Sequence, residues 1–168
     1  MKKLFEHAPI YFLYIVGSTY LGLLAVVILN IPLKFVTNDE NVRNLMWSLL
    51  MQVGCCIALF FLFRAAGNKY AKGNDVRLKE ELPSMILASS VNLILHFALC
   101  KTLPGALTAV YFVNSVGNEN TGENLGLIFL VLLVCAVLNV VFAALGYVSG
   151  AKARIRERAS LTGGKSEN

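Results

Sequence analysis

Apolar residues fall in four long blocks, 10–31, 45–63, 82–100 and 125–150, and none of the four contains Asp, Glu, Lys or Arg. A helix rises about 1.5 Å per residue and the hydrocarbon core of a bilayer is about 30 Å thick, so about 20 apolar residues are enough to cross it. A buried helix of a soluble protein would be shorter, and its partners would be amphipathic with one charged face. No such partners occur here. The pattern predicts an all-α polytopic membrane protein, a four-transmembrane-helix bundle forming a single integral membrane domain over 1–160, with 161–168 a disordered tail. Pro83 blurs the start of the third block, and the fourth block is long enough to tilt.

Composition agrees. Hydrophobic residues make up 57 % of the chain and charged residues 15 %, against about 45–50 % and about 25 % in soluble domains. That balance excludes an ordinary water-soluble enzyme and a disordered chain. The formal net charge is +5, but the cations sit outside the apolar blocks, so they are a topology signal and not a nucleic-acid footprint. Twelve of the fifteen Lys and Arg lie at the two termini or between the second and third blocks; Lys34, Arg43 and Lys101 lie on the other side. Short loops rich in Lys and Arg stay in the cytoplasm. Both termini are therefore expected to be cytoplasmic, in a multi-pass protein of the cell membrane. The short loops and lack of sorting signals point to a bacterial inner (plasma) membrane. Tyr11, Tyr14 and Tyr147 are expected at the cytoplasmic interface and Trp47 at the outer one. The start, Met1-Lys2-Lys3 before an apolar run, is similar to a signal peptide. That run is too long for a signal core, and Leu29-Asn30-Ile31-Pro32 lacks a small-x-small cleavage pattern, so the first span is read as uncleaved.

The longest stretch between blocks is 101–124, and no piece outside the blocks can bury a core of its own. A soluble catalytic, nucleotide-binding or receptor domain is not expected. The stretch 104–116 is apolar but too short to span, so it either lies on the outer surface or dips in and returns. There is no Gly-rich phosphate loop, nucleophile elbow, glycosylation sequon or lipidation signal. Asp39, Glu40, Glu119 and Glu123 show no motif spacing. The expectation is no enzyme activity, no cofactor and no metal.

Polar residues within the apolar blocks carry what chemistry there is. At 100° per residue Ser89, Asn92, His96 and Cys100 share an arc of about 80°, with Met85 extending it. Lipid cannot hydrogen-bond these groups, so the stripe should face the bundle interior. Gln52 and Asn139 join Ser89, Asn92 and His96 as candidate interior or pathway contacts. His96 reads either as a hydrogen-bonded structural residue or as a ligand contact. His7, the only other histidine, belongs to the opposite side, and no carboxylate lies within the blocks. Ser18 and Gly22, and the pair Gly146-x-x-x-Gly150, mark close helix packing or self-association. Cys55, Cys56, Cys100 and Cys135 read as small apolar fillers. Lys152, Arg154, Arg156 and Arg158 form a topology anchor that can also contact anionic lipid.

These features support a transport-type component, a flippase or permease subunit acting as a homo-oligomer or with a partner membrane protein. The alternative is a non-catalytic accessory or anchoring subunit of a larger membrane complex; a lipid-modifying enzyme comes third. In size and topology the chain is similar to the small GtrA-like flippases of lipid-linked sugars, and Phe12-Leu13-Tyr14-Ile15-Val16-Gly17 resembles their start. The aromatic and basic signature expected after their second and fourth spans is missing from Phe63-Arg64-Ala65-Ala66 and Tyr147-Val148-Ser149-Gly150.

Overall fold

The computed structural model describes residues 2–37, 39–70, 76–99, 109–110, 112–113 and 125–163. Four helices make up the bundle: α1 (Lys2–Val36), α2 (Glu40–Tyr70), α3 (Leu78–Ala98) and α4 (Leu125–Gly163). Each is long and apolar enough to cross a membrane. All four extend past the apolar blocks except at the far end of α3. The connection between α1 and α2 shrinks to a few residues around Asp39. Its carboxylate accepts from the backbone N–H of Asn41 (2.9 Å) and Val42 (3.3 Å), capping α2. Helix α3 starts four residues before the apolar block, with Glu80 and Glu81 in its first turn, where the helix dipole favours negative charge. Pro83 thus sits inside α3. Helix α4 runs unbroken through the basic stretch to Gly163. The first three residues of the expected disordered tail are therefore helical, and 164–168 lie outside the described residues.

Each helix packs against two neighbours, in the ring order α1, α2, α4, α3. The contact between α2 and α4 is the most extensive, and glycine sets it. A methyl group on Gly146 would strike the Phe60 backbone, one on Gly150 the Arg64 backbone, and one on Gly67 the Tyr147 carbonyl. Such close approach gains dispersion contact where no hydrophobic effect operates between helices. Gly67, which reads as a loop residue in the sequence, is therefore helical and buried. On the α1–α2 seam Gly22 meets Gly54; a methyl group on Gly22 would lie 2.7 Å from Cys55 Sγ and 2.8 Å from the Met51 carbonyl oxygen.

The core changes along the bundle. The half nearer the chain termini holds one cluster built from all four helices, including Tyr11, Ile15, Phe63, Met85, Ala143 and Tyr147. Toward the other end it divides. Val26, Met51 and Cys55 pack between α1 and α2. Ile128 and Leu132 of α4 pack with Ala109 and Val113. These residues of the 104–116 stretch, helical where described, lie against side chains about 5–10 Å inside the ends of α3 and α4. Outward positions such as Leu13, Leu24, Ile28, Ile57, Phe61, Ile94, Val137 and Leu145 are exposed, as a lipid-facing belt requires.

Tyr11 and Tyr147 do not form an interfacial belt. Both are fully buried, because their rings fill the single core cluster and the Tyr11 hydroxyl finds a buried acceptor in Glu81.

Candidate functional site

Where the core divides, a cavity of about 40 Å³ opens at the centre of the ring. It is lined from all four helices: by Thr19 of α1, Gln52 and Cys55 of α2, Asn92 and His96 of α3, and Cys135 and Asn139 of α4, with apolar neighbours completing the wall. A cavity needs roughly 10–15 Å³ to hold one water, so this one has room for about three. Among the described residues no Asp, Glu, Lys or Arg lines it.

The helical period puts these groups there. On α3 the spacing from Asn92 to His96 is one turn, and a turn earlier Ser89 faces the same way. Ser89 does not line the cavity. Its hydroxyl donates to the Ala136 carbonyl at 3.0 Å and ties α3 to α4. His96 Nδ1 lies 2.8 Å from the Asn92 carbonyl oxygen. A carbonyl can only accept, so Nδ1 carries the proton, and in a neutral ring Nε2 is then left as an acceptor. Gln52 directs its Nε2 at Cys56 Sγ, 3.5 Å away. Thr19 returns its hydroxyl to the Ile15 carbonyl at 3.1 Å, as does Ser18 at 2.7 Å.

Two atoms stand out. Asn92 Oδ1 and Asn139 Oδ1 are buried and, like Ser84 Oγ away from the cavity lining, have no hydrogen-bond partner among the described residues. Both side chains belong to residues only 8 % exposed. A buried polar atom without a partner costs about 1–3 kcal/mol, and both of these belong to residues that line the cavity.

Apolar clefts flank the cavity on two sides. One, of about 350 Å³, runs between α2 and α4 under Ala109 and Phe112, and Gln52 and Cys135 line both it and the cavity. The other, about 230 Å³, lies between α1 and α3 and shares Thr19, Asn92 and His96 with the cavity.

Gln52, Asn92, His96 and Asn139 thus come together, while Ser89 and Gly22 serve helix contacts and buried Ser18 bonds within its own helix. Gly146 and Gly150 face α2 of the same chain, so they are not on an outer surface for self-association. Lys152 and Arg156 are exposed on the end of α4, and Arg154 pairs with Glu157 at 2.8 Å. Cys100 lies outside the described residues. Among the described residues no three His, Cys, Asp or Glu side chains group as a metal site.

Sequence reasoning missed a second polar cluster near the chain termini. Glu81 is only 5 % exposed. Its carboxylate accepts from the Tyr11 hydroxyl at 2.7 Å and meets His7 Nδ1 at 2.7 Å. Tyr70 stacks on the His7 ring at 4.7 Å between centroids. Glu81 is one turn before Met85 on the same α3 stripe, and that spacing is the signal that could have found it.

Comparisons with known proteins find no matching family, curated protein or solved structure.

Proposed function

We propose that this chain is a transport-type membrane component, a flippase or permease subunit, whose cargo places its polar part in the central cavity. The observation that carries this reading is the pair of unpartnered acceptors, Asn92 Oδ1 and Asn139 Oδ1, on a polar cavity lined from all four helices. Helix packing alone does not require such a cavity; glycine contacts already hold α1, α2 and α4 together. Four spans are few for a complete carrier, so the working unit is a homo-oligomer or a complex with another membrane protein. The excess of Lys and Arg at the terminal end sets both termini in the cytoplasm, in a bacterial inner membrane. There Lys152, Arg154, Arg156 and Arg158 meet anionic lipid, an exposed cation adding about 1 kcal/mol and Arg154 less, because it pairs with Glu157.

Reconstituted vesicles test the reading. With lipids bearing a fluorescent nitrobenzoxadiazole tag, transbilayer movement is followed by quenching of the outer-leaflet dye with dithionite. The expected result is movement that exceeds protein-free vesicles and falls at least tenfold in Asn92→Leu and His96→Leu, with the amount of folded protein unchanged. No movement for any headgroup, together with a stoichiometric partner on purification from native membranes, would instead support the accessory-subunit alternative.

A further inference from the structure

We propose that the central cavity and the α2–α4 cleft together bind one class of molecule: a single-chain amphiphile with an uncharged, hydroxyl-bearing headgroup. The inference rests on the transport reading above and names its cargo chemistry.

The headgroup follows from the cavity's acceptors. Asn92 Oδ1 and Asn139 Oδ1 lack donors among the described residues, and His96 Nε2 is a third acceptor once Nδ1 donates to the Asn92 carbonyl. The ligand must supply O–H or N–H. Among the described residues no charged side chain lines the wall, which argues against phosphate, carboxylate and ammonium, because an ion taken from water into an uncompensated site is heavily penalised. Room for about three waters admits one or two hydroxyl groups.

The chain follows from the cleft. Its walls include Leu49, Phe112, Leu130, Val134 and Leu138, and its volume of about 350 Å³ falls within the range of about 300–1,000 Å³ for small-molecule sites. Gln52 and Cys135 line both spaces, so a molecule with its head in the cavity has room for its tail along this cleft. The α1–α3 cleft shares Thr19, Asn92 and His96 with the cavity, but its volume of about 230 Å³ falls below that range.

The test uses the full chain in phosphatidylcholine vesicles and a long-chain primary alcohol carrying a photoreactive diazirine in its tail. Cross-linked peptides are mapped by mass spectrometry, with the matching fatty acid and alkane as comparison probes. The expected result is labelling within 130–138, displaced by unlabelled alcohol and at least tenfold weaker for acid and alkane. Losing a single hydrogen bond corresponds to up to about tenfold in affinity, so Asn92→Leu and Asn139→Leu each weaken alcohol labelling by that factor. Val134→Trp, at an exposed position in the cleft, blocks it, and Leu95→Trp in the other cleft does not. Equal labelling by alcohol and alkane, or labelling untouched by Asn92→Leu and Asn139→Leu, overturns the proposal. Dithionite quenching of the tagged lipids on the same vesicles separates the two readings. Labelling without movement of any lipid sustains the site and defeats transport. Movement that depends on Asn92 without alcohol labelling sustains transport and defeats this ligand.

Discussion

Alanine at Gly150 destabilises the bundle by about 3 kcal/mol, whereas the same substitution at Gly17 leaves it unchanged or raises its stability by about 0.5–1 kcal/mol. Both residues are inside helices, so the intrinsic preference for alanine over glycine favours both variants. Surroundings decide the sign. Nothing lies within 4 Å of a methyl group at Gly17, while one at Gly150 would strike the Arg64 backbone carbonyl and approach the Asn68 backbone N–H at 2.9 Å. A flexible side chain could swing aside; a helical backbone can give only if α2 and α4 separate. That separation breaks the largest helix contact in the ring and loosens the Phe60–Gly146 and Gly67–Tyr147 approaches with it. Unfolding titrations in one detergent, followed by circular dichroism, check the pair. Equal responses at the two positions would mean that backbone approach does not hold the bundle together.

The second large effect is at Glu81. His7→Leu and Glu81→Leu should each cost about 1–2 kcal/mol, and the double variant should recover most of the loss. Breaking a buried hydrogen bond strands one partner, at about 1–3 kcal/mol, while replacing both by apolar groups can be nearly neutral. His7 is partly exposed, with 18 % of its side chain accessible against 7 % for Glu81, which places the single losses at the low end of that range. Tyr11 also donates to this carboxylate, so the double variant leaves a buried hydroxyl to find a new acceptor and does not recover everything. A double-mutant cycle by the same titration gives the coupling directly. Additive losses would show that the 2.7 Å contact contributes nothing to stability.

The sequence makes the four helices legible because lipid imposes a length and a ban on charge. It makes Asn92 and His96 legible as one face for a related reason: water is not there to satisfy them, so their spacing has to bring them inward. Glu81 escapes because the ban on charge, applied as a boundary, ends the third block at Leu82, one residue short of it. The structure accommodates the carboxyl group by burying it against His7 and Tyr11, contacts between residues 74 and 70 positions apart that no local pattern announces. Gly67 escapes for a like reason. Beside Asn68 and Lys69 it has loop composition, yet what selects glycine is the Tyr147 backbone on another helix. Tyr11 and Tyr147 have the composition of an interfacial belt, and only the ring order of the helices turns them into the core. Thr19 reaches the cavity although its neighbour Ser18 has the better small-residue spacing, because α1 crosses the ring with that edge inward.

Single cysteines placed at Asn41, Asn68 and Ser160, all exposed, test the four-crossing arrangement most directly. With a membrane-impermeant maleimide and the unaltered chain as blank, Asn41→Cys should react in intact cells, and Asn68→Cys and Ser160→Cys only after the membrane is opened. Equal labelling of all three in intact cells would contradict the account, since it would put both ends of the helices on one side of the bilayer.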